Sequence, residues 1–268
     1  MLELPHHDRH LGGLAAHDVP RRVGPRSIAV LPFGAIEAHG PHLPLATDEI
    51  LATALSTAAV AEHGDAHDLW QLPSLSMTKS NEHAWAPGTM WLSATTMLAV
   101  LDDLGRCLRH SGFGSVVFVN GHGGNSALLQ VACRDLRLAH GLRTFLVHPW
   151  LATDGGDERG MSIHAGHDET SLVMHVRPDL VDLSRATRRV PEHLALQRHV
   201  RFGGSVSFGW TSDDFDAAPG PDGLPIGVIG DATRASAAHG ADLFARIVTT
   251  MGEQFAEIRD FDPRIRTS

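Results

Sequence analysis

Residues 115–148 read SVVFVNGHGGNSALLQVACRDLRLAHGLRTFLVH, and this stretch decides the fold. Its start, 115–119, is a short β-branched and aromatic run, the pattern of a strand buried on both faces. The run leads directly into Asn120-Gly121-His122-Gly123-Gly124-Asn125. Apolar residues then recur at helical spacing over 126–140, Gly141 provides a C-terminal stop, and 143–148 (RTFLVH) reads as a second strand. Strand, helix and strand in one continuous stretch form a βαβ unit, which implies parallel pairing.

The same alternation extends upstream. Residues 27–33 (SIAVLPF) predict a buried strand ending at Gly34, and 48–63 predict an Ala/Leu-rich helix stopped by Gly64. A short strand is expected at 69–72, then a helix over 96–109 capped by Ser93 or Thr95 and followed by Gly112. Downstream the pattern loosens. Residues 150–163 read as loop, 169–176 as a helix ending before Pro178, and 183–231 as an irregular excursion over the functional side of the sheet. One long amphipathic helix is expected over 232–261. The expectation is a single α/β domain over 1–268: three layers, α/β/α, around a mainly parallel sheet.

Composition narrows the function classes. A net charge of −9 and the lack of any Lys/Arg run argue against nucleic-acid or anionic-membrane partners. The N-terminal stretch has no basic-then-apolar leader and no segment is long and apolar enough to span a membrane, so the expected location is the cytoplasm. Cys107 and Cys133 fall in helical segments and read as small buried hydrophobes rather than a disulfide or metal pair. Histidine is the outlier, with 19 dispersed along 268 residues.

Several of these histidines fall where an α/β sheet places its functional loops, at the carboxyl ends of strands. After the first strand comes Glu37-x-His39-x-x-His42, with Asp48 opening the next helix. Residues two apart on extended chain share a side, so Glu37 and His39 can face one pocket. Glu, His and Asp together offer mixed N/O ligands suited to Zn, Mn or Fe(II), although Asp48 as a plain helix cap beside surface histidines reads equally well in isolation. His122 sits in the glycine-rich turn after the second strand, where a metal ligand fits better than a phosphate cradle, because no Lys-Ser/Thr pair accompanies it. His164 and Glu169 introduce a further helix, where Glu169 is either functional or compensates the helix dipole and His164 is a candidate proton shuttle. Residues 80–83 (SNEH), followed by Ala86-Pro87-Gly88-Thr89, form an ordinary loop or line a substrate pocket.

Taken in order, residues 31–44 with Thr47 and Asp48, then 80–83 with 87–89, 120–125, 164–166 with 169–171, and 227–231 resemble the motifs of the creatininase (creatinine amidohydrolase) family over about 27–250. The resemblance implies two divalent metal ions per subunit, Zn, Mn or Fe. Glu37, Asp48 and His122 would hold one, and His39, the bridging Asp48 and Glu169 the other. In creatininase proper the second carboxylate lies two residues after the histidine of the third motif, a position occupied here by Gly124, and the role passes to Glu169. The resemblance further implies a metal-bridged hydroxide attacking a small linear or cyclic amide or short peptide, with His164 and Glu169 as catalytic groups. Ser80, His83, Gly123 and Gly124 would contact substrate, and a homo-oligomer, often a hexamer in the family, is implied as well. The aromatic residues that flank the creatininase site are Gly123 and Ala86 here, which weighs against creatinine and places the chain nearer the formamide-hydrolase and mycofactocin-peptidase-like branch. A hydrolase of a sugar-like ketone or ring is the alternative within the family. A silent metal-binding scaffold is disfavoured by the intact set of candidate ligands.

Overall fold

The computed structural model describes residues 7–149, 161–202, 204–216, 219–220 and 222–262. Among them, four parallel strands form the central sheet in the order β2-β1-β3-β4: β1 (Ile28–Phe33), β2 (Leu69–Gln71), β3 (Ser115–Asn120) and β4 (Arg143–Val147). Side chains of a strand alternate between its faces, and β1 and β3 use this to build two cores. Ile28, Val30, Val117 and Val119 face helices α1 (Thr47–His67), α4 (His167–Val176) and α5 (Ala237–Asp260) through Leu51, Leu172 and Leu243. Ala29, Leu31, Phe33, Val116 and Phe118 face α2 (Ala94–His110) and α3 (Ser126–His140) through Met97, Leu101 and Leu129. The three-layer α/β/α expectation therefore holds. The chain leaves β1 towards β2 on one side and later returns to β3 on the other, so the strand order switches between β1 and β3. Ligand crevices form at the carboxyl ends of strands at such a switch.

The differences from the sequence reading have local causes. Helix α1 continues past Gly64 to His67, with Asp68 left-handed at φ 53. Gly64 is buried inside the helix, where a β-carbon would meet the Arg9 side chain at 2.8 Å, so this glycine serves packing and not termination. Ser93, not Thr95, caps α2 by accepting the Thr96 amide. The expected single helix over 232–261 is instead a one-turn segment (Ala232–Arg234) followed by α5, because Asp231 caps the first and Ser236 starts the second. Neither cysteine is buried. The inward face of α2 is Met97, Leu101, Gly105 and Leu108, which turns Cys107 to solvent, and Cys133 is half-buried; both thiols are free. Of the loop expected at 150–163, residues 150–160 lie outside those described. The described residues of the excursion at 183–231 hold short 3-10 turns, a one-turn helix (Glu192–Ala195) and a two-residue antiparallel pairing of Arg188–Arg189 with Gly230–Asp231, and they add Ile226 and Val228 to the core.

Candidate metal centre

Two glycines explain how Asp48 reaches the switch point. A β-carbon on Gly34, just past β1, would lie 2.5 Å from Glu49 Cα, and one on Gly121, just past β3, would lie 2.8 Å from the Asp48 carbonyl. Bare backbone at both strand ends lets the first turn of α1 pack between them, and Asp48 is buried there. Asn125 staples the surrounding loops, its side chain accepting the Lys79 amide and donating to the Gly34 carbonyl.

Around Asp48 the structure gathers Glu37, His39, His83, His122, His164 and Glu169. Asp48 Oδ1 lies 3.1 Å from His39 Nε2, and Oδ2 lies 3.3 Å from His122 Nδ1. Glu37 Oε1 is 3.2 Å from His122 Nδ1, 3.3 Å from His83 Nε2 and 3.7 Å from His164 Nδ1. Glu169 Oε1 lies 3.5 Å from His39 Nε2, while its Oε2 accepts the Ala165 amide at 2.6 Å. Ala165 itself holds φ at 54, in the left-handed region. Rings of His39 and His83 each stack 4.3 Å from that of His164.

The hydrogen bonds fix which nitrogen each ring presents. His39 Nδ1 donates to the Glu37 carbonyl at 3.2 Å, His122 Nε2 to the Lys79 carbonyl at 3.0 Å, and His164 Nε2 to the Ala38 carbonyl at 2.6 Å. A carbonyl only accepts, so each of these nitrogens carries its proton and the opposite nitrogen faces the carboxylates. Yet both oxygens of Glu37 and Oδ2 of Asp48 are buried without an aligned hydrogen bond among the described residues. Buried anionic oxygens facing imidazole nitrogens call for positive charge between them, either a proton on the ring or a metal ion. Glu37–His39–Asp48, Glu37–His83–His164 and His39–His164–Glu169 each place ligand atoms within 4.8 Å of one another.

Electrostatics point the same way. Burial opposes charge on His39 and His122, but Asp48 and Glu169 beside the first, and Glu37, Asp48 and Glu82 beside the second, hold both well above the ordinary histidine value. Burial lifts the Glu37 carboxyl to about 7, helped by Asp48 and opposed by His122. Asp48 and Glu169, despite burial, are held low by His39. Burial and the neighbouring His39 lower His164 to about 4, and burial with His164 lowers His83 further. In the absence of a metal, protons on His39 and His122 supply the positive charge this cluster needs.

All five expected ligands, Glu37, His39, Asp48, His122 and Glu169, therefore converge, as does His164. His83, expected to contact substrate, sits inside the cluster against Glu37, and Ser80 beside it is fully buried. His42 stands back, bonded to Thr170 Oγ1 at 3.0 Å. Gly123 faces open space. Glu82 was not anticipated. Its Oε1 lies 3.2 Å from His122 Nε2, and a β-carbon on Gly124 would fall 1.7 Å from that same oxygen. The Gly-Gly pair was the available signal, since its second glycine makes room for a carboxylate arriving from another loop.

The sequence model of the creatininase family, described as creatinine amidohydrolase, matches residues 13–255. The chain belongs to the creatininase family. It is thereby a hydrolase of carbon–nitrogen bonds. A mycofactocin precursor peptide peptidase of Mycobacterium ulcerans is 36% identical over 227 residues, covering 82% of this chain and 80% of that protein. A creatinine amidohydrolase of Pseudomonas putida is 32% identical over 186 residues, covering 61% of this chain and 70% of that one. Among solved structures, a manganese creatininase superposes with a TM-score of 0.68 at 25% identity, covering 96% of this chain and 100% of that chain. A mutant creatininase of Zn–Zn type gives 0.68 at 24%, with the same coverage. The fold of this creatininase-family chain is thus the fold of creatininase over nearly its whole length.

Proposed function

We infer that the chain is a two-metal amidohydrolase cleaving a C–N bond of a short peptide or small amide. The observation that carries this reading is the pattern at three histidines: each anchors one ring nitrogen on a backbone carbonyl and turns the other into a buried carboxylate cluster, in which both Glu37 oxygens and Asp48 Oδ2 lack an aligned hydrogen bond. Metal-ligating histidines are oriented in this way. Glu37, Asp48 and His122 would hold one divalent ion, and His39, Asp48 and Glu169 the other, with zinc and manganese the leading candidates and iron also suited to these donors. When bound, such ions supply an acidified water as nucleophile and polarise the substrate carbonyl.

The chain's own residues divide the remaining work. Glu169 is held by the Ala165 amide through one oxygen and offers the other, an orientation suited to a ligand. His122 is steadied from behind by the Lys79 carbonyl and Glu82. His164, with Nε2–H committed to Ala38, has only Nδ1 available and is neutral near pH 7. It must therefore accept a proton from the attacking water before donating it to the leaving nitrogen, which gives direction to its expected role as a proton shuttle.

A cavity of about 700 Å³ opens among Ala38, Gly40, Leu45, Trp85, Ala86 and Ile226, residues interleaved with Glu37, His39 and His83. Its size and mixed walls, with Leu45, Trp85 and Ile226 beside Arg185 and Asp222, together with relatives named as peptidases, support a substrate larger than creatinine. Both helical layers share one sheet, which supports reading the chain as a single domain. The proposal includes a homo-oligomer acting in the cytoplasm; among the described residues no helix is long and apolar enough to cross a membrane. Hydrolysis of formamides, small amides and short peptides by chelated enzyme reloaded with Zn, Mn or Fe tests the function. Metal-dependent release of amine supports it, and equal turnover by the stripped protein would refute it.

A further inference from the structure

A second group of ligand-type side chains lies outside the buried centre, where the start of α4 meets α5. His167 and Asp168 occupy the first two positions of α4, and His239 lies in the first turn of α5. Asp168 Oδ1 is 3.2 Å from His167 Nδ1 and 2.7 Å from His239 Nε2, and the two rings are 4.5 Å apart. All three donor atoms fall within 4.8 Å of one another. Zinc bonds of 2.0–2.2 Å in a tetrahedron put ligand atoms roughly 3.3–3.5 Å apart. The two spacings to Asp168, 3.2 and 2.7 Å, are hydrogen-bond lengths slightly shorter than that, so the side chains must open by a few tenths of an ångström to admit an ion.

The tautomer supplies an independent indication. His167 Nε2 lies 3.1 Å from the Arg234 carbonyl, which only accepts, so Nε2 carries a proton. With Nε2 on that carbonyl, the ring turns Nδ1 towards the Asp168 carboxylate oxygen, as a ligating histidine presents its free nitrogen. Anchoring one ring nitrogen on a carbonyl while the other meets a carboxylate repeats the pattern of His39, His122 and His164. The positive end of the α4 dipole opposes a cation here, and the Asp168 charge offsets it.

We propose that His167, Asp168 and His239 form a separate, solvent-accessible site for a borderline divalent cation such as Zn²⁺, which cross-links α4 to α5. The two nitrogens and one oxygen leave a fourth position for water, and none of the three residues belongs to the buried centre. The ion would brace the helix turn that carries Glu169.

The test is equilibrium dialysis of the chelator-stripped full chain against Zn²⁺, with metal counted per chain and folding followed by circular dichroism. His239→Gln and Asp168→Asn, on different helices, should each bind one zinc fewer than wild type at the same free zinc. Asp48→Asn, which disables the buried centre, should keep the equivalent that His239→Gln loses. The double variant Asp48→Asn/His239→Gln should lose it. Equal zinc content in wild type and both folded single variants overturns the proposal, whatever the buried centre does. Failure of the buried centre would appear instead as Asp48→Asn binding like wild type.

Discussion

Asp48→Asn removes the proposed shared ligand, a carboxylate whose two oxygens face His39 and His122, while keeping side-chain size. Its oxygens lie 3.1 Å from His39 and 3.3 Å from His122, and the residue is 2% exposed, so solvent cannot replace the lost charge. Structural zinc sites with four ligands bind with roughly 10–16 kcal/mol, or about 3–4 kcal/mol for each ligand. Because the amide oxygen remains a weak donor, the expected loss is roughly 100- to 1,000-fold in affinity at the buried centre. In the stripped protein the same change takes an anion from between two protonated imidazoles. Glu37 and Glu169 still face those rings, so the cost there falls at the low end for a broken buried pair, about 3 kcal/mol. Dialysis against graded Zn²⁺ or Mn²⁺, followed by metal analysis, reads the first effect. Thermal unfolding of stripped and loaded samples reads the second, with wild type gaining a large rise in melting temperature on loading and the variant little. Affinity within tenfold of wild type, with a full metal-induced rise, would refute Asp48 as the shared ligand.

His164→Gln should keep the metal content and lower kcat by roughly 10²–10⁴ as proton transfer is lost; loss of metal instead would make His164 a ligand. Stripped protein should lose stability as pH rises. His39 and His122 have raised values in the folded state, so their contribution is complete below about 6.5 and disappears as pH climbs through the folded values. Glu37, raised to about 7, acts in the same direction, whereas the lowered Asp48 and Glu169 withdraw their contribution only as pH falls below about 4. A stripped-protein melting temperature that increases from pH 6 to 9 would contradict this, and metal loading should flatten the alkaline decline. Metal binding near pH 7 should also release protons from His39 and His122, measurable by calorimetry in buffers of different ionisation enthalpy. Gly124→Ala should displace both the Glu82 carboxylate and the His122 ring, whose Nε2 would lie 2.5 Å from the new β-carbon, and weaken metal binding about 10- to 100-fold, read by dialysis and metal analysis.

The sheet and its helices were legible because β1 and β3 are apolar runs of strand length and the helices carry strong periodicity. Helix 126–140 falls where the sequence places it. Boundaries failed where a residue's local meaning was overridden by packing, as at Gly64, or where two caps fell close together, as at Asp231 and Ser236. In the cluster, the side chains at strand ends were readable from position along the chain. Glu82 and His83 were harder, because they arrive from a loop whose only mark is a turn signal. The approach of Glu82 depends on the missing β-carbon at Gly124, a spatial fact that spacing does not encode.

Ala165 joins His164 to the turn whose amide secures Glu169, and it does so in a backbone region that costs a residue with a β-carbon about 1–2 kcal/mol. Glycine would occupy the same region without that cost, partly offset by its greater freedom when unfolded. It would also roam a much wider basin. The methyl group therefore works as a stop, confining the angle between His164, the proposed proton carrier, and a carboxylate that depends on this turn. Exchanging it for glycine should yield a protein at least as durable and a poorer catalyst, so that at this one position ruggedness and aim are opposed.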